Sequence, residues 1–100
     1  MAFVYITCKD KKEARKISKF LLEKKLIACA NMFPIESSYW WDGKIIDDNE
    51  YVVLGKTIAK NYDKIKKEIK KIHSYSIQCI CLLKSESNKE YGLWVKKEVR

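Results

Sequence analysis

The 100-residue chain holds only three glycines, one proline (Pro34) and two arginines (Arg15 and Arg100). So little glycine leaves no phosphate-cradling loop, and neither a nucleophile elbow nor a catalytic carboxylate pair is visible. The scarcity of arginine weighs against nucleic acid as a partner. The net charge of +8 is carried almost entirely by lysine, whereas arginine supplies most bidentate base and phosphate contacts. No basic stripe is interleaved with aromatics, so a lysine-rich solvated surface accounts for the charge. Apolar runs fall well short of a membrane span, and the N-terminus enters an apolar strand with no basic leader or cleavage site. A soluble, cytoplasmic chain with neither a membrane nor a nucleic-acid partner is expected, folded as one domain over residues 1–100.

Four cysteines are present, Cys8, Cys29, Cys79 and Cys81, all within apolar β-type runs. Their spacing is neither that of a zinc ribbon nor that of a redox dithiol, and free thiols are expected. On a strand, Cys79 and Cys81 share a face with their backbones roughly 6.6 Å apart, near the upper limit for a disulfide and with nearly parallel side chains. They are not expected to bridge each other.

The clearest local signal is Asp42-Gly43 between two long β-type arms, Leu26 to Trp41, interrupted at Pro34, and Lys44 to Ile58. A two-residue Asp-Gly connection predicts a hairpin, because both central residues take positive φ. Arms far longer than the usual strand overhang a small domain. Before them, Phe3 to Cys8 reads as a strand, and Asp10 with Glu13 three residues on reads as a helix start. Ala14, Ile17 and Leu21 give that helix an apolar stripe, and Lys24-Lys25 suit its negative pole. Tyr62, Ile65, Ile69 and Ile72 mark a second amphipathic helix whose lysines form its solvated face. Ile77 to Leu83 is predicted as a last buried strand. Ser87 to Glu90 reads as a capping box opening a short helix with Tyr91, Trp94 and Val95 on one face.

The order βαββαβ with an added C-terminal helix predicts an α+β, ferredoxin-like fold: a four-stranded antiparallel sheet with both main helices on one face. Both alternating sets of strand residues are apolar, Val4, Ile6 and Cys8 against Phe3 and Tyr5, and Val52 and Leu54 against Tyr51 and Val53. The helices cover one face only, so another subunit is expected on the other.

Fold alone assigns no activity. A metallochaperone of this topology carries two cysteines two residues apart after the first strand, where this chain has Thr7-Cys8-Lys9-Asp10. An RNA-recognition module carries stacking aromatics and a basic-glycine-aromatic pattern on its third strand, where this chain reads Glu50 to Lys56 without them. What remains is Lys56 on an otherwise apolar strand, His73 just past the second helix, Tyr75 two residues on, and Trp40-Trp41 beside the turn. A histidine at a helix end is also an ordinary dipole-satisfying cap. Lys56 is equally compatible with snorkelling at a sheet rim.

Ile6-Thr7-Cys8, Leu26 to Asn31 with Pro34, Ser38 to Lys44, Lys56-Thr57, His73-Ser74-Tyr75, and Tyr91 with Trp94 resemble, in order and spacing, the CutA divalent-cation tolerance proteins. The resemblance covers essentially the whole chain. It implies a ferredoxin-like homotrimer with clefts between subunits, no enzymatic activity, no organic cofactor, and an association with copper and other divalent ions. Family cleft positions fall on Cys29, Trp41, Lys56, His73 and Tyr75. The family usually reads His-Pro-Tyr and then Pro-Glu, whereas Ser74, Gln78 and Cys79 stand here, and a thiol in place of a carboxylate favours softer ions. For copper bound directly, imidazole and thiolate donors point to His73 with Cys29, Cys79 and Cys81. The competing reading makes those thiols buried small hydrophobes. The alternative function is a structural or signalling trimer, or a small enzyme acting on an anionic small molecule, with no direct metal binding.

Overall fold

A computed structural model describes residues 1–100. Strand β1 (Ala2–Cys8) alternates fully buried and half-buried residues along its whole length, as β-branched and aromatic side chains do on a strand with two apolar faces. Helix α1 (Lys11–Glu23) follows. Asp10 caps it by accepting the Glu13 N–H at 2.8 Å, which satisfies one of the free donors of the first turn. At the other end Lys25 takes φ 57°, with Lys25 N–H donating to Leu22 and Leu26 N–H to Leu21. A lysine therefore closes the helix in the left-handed conformation that glycine usually supplies. The buried pair Leu21 and Leu26 fixes the exit of the chain.

Strands β2 (Cys29–Trp41) and β3 (Lys44–Thr57) form the hairpin, with Asp42 at φ 52° and Gly43 at φ 75° in the turn. Both dihedrals are positive, as the Asp-Gly pair predicts. The first arm starts at Cys29 rather than Leu26, because Leu26 and Ile27 are packed under the helices instead of paired in the sheet. Pro34 does not interrupt β2: it lies opposite Tyr51 within the ladder. The missing N–H is harmless on an edge strand.

A 3₁₀ turn, Ala59–Asn61, leads into α2 (Tyr62–Lys70). The last strand, β4, spans Ile80–Lys84, so the expectation of a buried strand from Ile77 is corrected. Ile77 is 72% exposed. The loop before β4 is held by side-chain contacts in place of a ladder, and β4 itself is an edge. Helix α3 (Lys89–Glu98) starts at Asn88, whose side chain accepts no backbone N–H of the first turn. The expected Ser87–Glu90 capping box does not form, because Ser87 turns its hydroxyl to the Asn88 carbonyl. Of the α3 face only Val95 is fully buried.

The sheet order is β2-β3-β1-β4 with every pairing antiparallel. On one face, Val4, Ile6, Cys8 and Val53 pack against Ala14, Ile17 and Leu21 of α1 and Ile65 and Ile69 of α2. This is the ferredoxin-like α+β arrangement. The other face carries Phe3, Tyr5 and Thr7 of β1, Val52, Leu54 and Lys56 of β3, Cys29, Asn31 and Phe33 of β2, and Cys81 and Leu83 of β4, because registered partners share a face. The hairpin runs past the body of the fold, giving extents of 45 × 26 × 21 Å.

Candidate functional site

The open face places the candidate residues in separate groups. At one end, Lys56 on β3 lies opposite Cys29 of β2 and Phe3 of β1. Its ammonium donates to Asn31 Oδ1, lies 3.8 Å from Cys29 Sγ and stands 5.9 Å from the ring centroid of Tyr91 on α3. A lysine anchored by one amide on an apolar sheet keeps unused donors and a formal charge, which suits an anion. Asn31 was not singled out from the sequence. Its position two residues after Cys29 on one strand, hence on the same face, was the available signal.

At the other end sit His73 and Tyr75, on the loop between α2 and β4. The His73 Nδ1 accepts the Tyr75 N–H at 3.0 Å, and its Nε2 lies 2.8 Å from the Thr7 carbonyl oxygen. A carbonyl only accepts, so the proton sits on Nε2 and both ring nitrogens are in use. The Tyr75 hydroxyl donates to Glu50 at 2.6 Å. Burial, followed by that carboxylate, holds its phenol well above the ordinary tyrosine range. Glu50 lies six residues before Lys56 on β3, so these two groups are roughly 20 Å apart at strand spacing.

Trp41 is at the hairpin end, half exposed and opposite Lys44. Lys44 and Lys56 lie on the same strand, which puts Trp41 roughly 40 Å from Lys56 at strand spacing. One subunit thus brings Cys29 to Lys56 and His73 to Tyr75, but unites neither pair with Trp41.

The four metal-donor candidates are divided as well. Cys29 is on β2 and Cys81 on β4, the two outer strands of the sheet and two residues out of register, roughly 16 Å apart at strand spacing. Cys79 and Cys81 are close, with sulfurs 3.8 Å apart, and no cysteine is bridged. His73 faces different neighbours: Cys8, Glu13 and His73 bring one ligand atom each within 4.8 Å of one another. That cluster is internally satisfied. The two Glu13 oxygens accept the backbone N–H groups of Lys9 and Ser74, each at 3.0 Å. Burial, then Glu13 and Asp10, pushes the Cys8 thiol up to about 12. Glu13 escaped notice as a site residue because its helix-capping position already explained it.

Comparison with known proteins settles the family. The profile of the CutA1 divalent ion tolerance protein matches residues 2–98. The chain belongs to the CutA1 family. It is 43% identical to the divalent-cation tolerance protein CutA of Archaeoglobus fulgidus, over 97% of this chain and 96% of that one. With the CutA protein of Thermotoga maritima it shares 39% identity over 99% of each chain. The solved structure of the Archaeoglobus fulgidus protein, described as periplasmic, superposes with a TM-score of 0.95 at 42% identity over the full length of both chains. CutA1 from Pyrococcus horikoshii gives 0.93 at 35% identity, covering 100% of this chain and 99% of that one. The family is described by divalent ion tolerance, not by a catalysed reaction. No helix is long and apolar enough to cross a membrane.

Proposed function

We propose that the chain is a cytoplasmic homotrimer that takes part in the response to divalent cations, copper among them. It does so by binding a small anionic effector or a metal ion in clefts between subunits. The observation that carries this reading is the division of the candidate residues. Lys56 with Cys29, His73 with Tyr75, and Trp41 lie at three separate places in one subunit, so a single site containing them needs neighbouring chains.

Assembly follows from the surface. Only 22 of 100 residues are buried, while Trp40 (72% exposed), Ile45, Trp41, Met32 and Phe33 along the hairpin and Leu83 on the open face are not. A two-stranded arm cannot bury such side chains by itself and presents unpaired edges. Neighbouring copies of the same arm and face supply the cover, and closed rotational symmetry satisfies every subunit equally. Within a cleft so formed, the Lys56 ammonium favours an anionic group, and the aromatic rings of Tyr91 and Trp41 favour a planar or apolar body beside it. The four unbridged thiols fit a reducing compartment.

Sedimentation equilibrium together with a ligand screen by thermal shift tests the reading. A trimer stabilised by an anionic ligand, with the shift lost in Lys56→Ala, is expected. A stable monomer at micromolar concentration overturns it.

A further inference from the structure

We propose that Cys79 and Cys81 form a preorganised dithiol clamp for one thiophilic divalent cation, zinc or cadmium, on the open face at the β4 edge. This rests on the reading that the protein handles metal ions directly, and it assigns that task to two residues of one subunit.

The geometry is the first argument. The two sulfurs are 3.8 Å apart. A tetrahedral ion with metal–sulfur bonds of about 2.3 Å needs its two sulfurs about 3.8 Å from each other. The thiols therefore stand at one edge of a coordination tetrahedron without any backbone movement. A disulfide would need the same sulfurs to close to about 2.05 Å, from backbones near the upper limit of disulfide spacing and with side chains pointing the same way. The arrangement suits a shared ion better than a bond.

Attachment is the second argument. Cys81 is fixed in register opposite Tyr5, and the Thr7 N–H donates to the Cys79 carbonyl at 3.4 Å, which extends the β1–β4 pairing to Cys79. Both sulfurs are thus carried by backbone tied to the central strand of the fold. Burial, then the neighbouring Cys81, raises the Cys79 thiol, a penalty that a bound cation reverses.

Charge selects the ion. Two thiolates neutralise a divalent cation, whereas a monovalent ion leaves one negative charge uncompensated, and the attraction between donors and ion grows with the ion's charge, so the divalent ion is preferred. Hard ions that seek oxygen are excluded by the donors. The two other positions do not compete. Cys29 has the Lys56 ammonium at 3.8 Å, which repels a cation. The Cys8, Glu13 and His73 cluster has its imidazole nitrogens and carboxylate oxygens already bonded. Binding displaces the thiol protons, so affinity rises with pH.

The test is a cadmium titration of the assembled protein under anaerobic conditions with a phosphine reductant, followed by thiolate-to-metal charge transfer in the ultraviolet and by calorimetry. One ion per subunit is expected, with the band lost in Cys79→Ser and in Cys81→Ser and kept in Cys29→Ser and His73→Ala. Affinity should fall at least about tenfold in each of the first two, which is ~1.4 kcal/mol. Sedimentation of each variant separates lost binding from lost assembly. Either of two results overturns the clamp: no charge-transfer band in the wild type, or a band that survives both serine variants and disappears in His73→Ala. Neither bears on the trimer, which the sedimentation experiment decides by itself.

Discussion

Tyr75 donates its hydroxyl to Glu50 at 2.6 Å and so ties the loop after α2 to the middle of β3. Glu50 is a buried carboxylate with no lysine or arginine in ion-pair contact. A phenol is therefore its neutral partner, and the bond also pins His73 through the Tyr75 N–H. Removing the hydroxyl in Tyr75→Phe leaves that buried carboxylate without its partner and should cost about 1–3 kcal/mol in urea unfolding. Glu50→Gln, which keeps an acceptor, should cost less. Equal stability of Tyr75→Phe and wild type would mean that the loop is held by His73 and Gln78 alone.

Glu13 sets an acid limit. Burial opposes its charged form, yet the backbone N–H of Lys9, the Ser74 contacts and the His73 ring outweigh it and lower the pKa. A carboxylate whose folded pKa lies below its unfolded value stabilises the fold fully above the unfolded value, near about 4.3. The contribution fades as pH falls from there through the lowered folded value. Glu13→Gln should destabilise at neutral pH by about 1–3 kcal/mol, and its deficit relative to wild type should shrink as the pH falls below about 4. Denaturant midpoints across that range, at fixed protein concentration, check the sign; a deficit that grows on acidification would rule the assignment out.

Local chemistry made much of this fold readable. Asp42-Gly43 announced the hairpin, Asp10 with Glu13 the first helix, and the spacing of Tyr62, Ile65 and Ile69 the second. Reading failed where side chains replace regular pairing. Ile77 has strand composition, but Ser74 is bonded to Glu13, Tyr75 to His73, and Gln78 to the Tyr75 carbonyl, so the ladder starts only beyond them. Lys25 in the left-handed conformation carries no sequence mark, since it is packing of Leu21 with Leu26 that enforces it. The separation of Cys29 from Cys81 was equally hidden, because it depends on the β2-β3-β1-β4 order and not on either residue's own run.

Gly55 is required by close approach. A Cβ there would meet Val4 Cγ1 at 2.9 Å and Ile27 Cγ2 at 3.1 Å, both on fully packed residues of the core. Gly55→Ala should therefore lose about 1–3 kcal/mol by overpacking, despite the usual preference for alanine over glycine in a strand. Thermal unfolding checks the direction, and a rise in melting temperature would show that Val4 and Ile27 yield freely.

At Gly43 the constraint is conformational only. A Cβ built there meets nothing within 4 Å, while φ stays at +75°. Gly43→Val thus tests backbone strain without a clash, and a β-branched residue held at positive φ costs about 1–3 kcal/mol. The turn lies at the far end of the hairpin from the core around Ile17 and Ile65, so the strain should fall on the arm and spare the domain. If the arm carries the subunit contacts, the variant loses trimer in sedimentation at protein concentrations where its circular dichroism is unchanged. Trp41→Ala, which keeps the turn but removes a half-exposed ring beside it, should weaken assembly in the same experiment by about 2 kcal/mol or more if that ring is an anchor. Intact assembly in both variants would place the interface on the sheet face around Phe3 and Leu83 instead of on the arm.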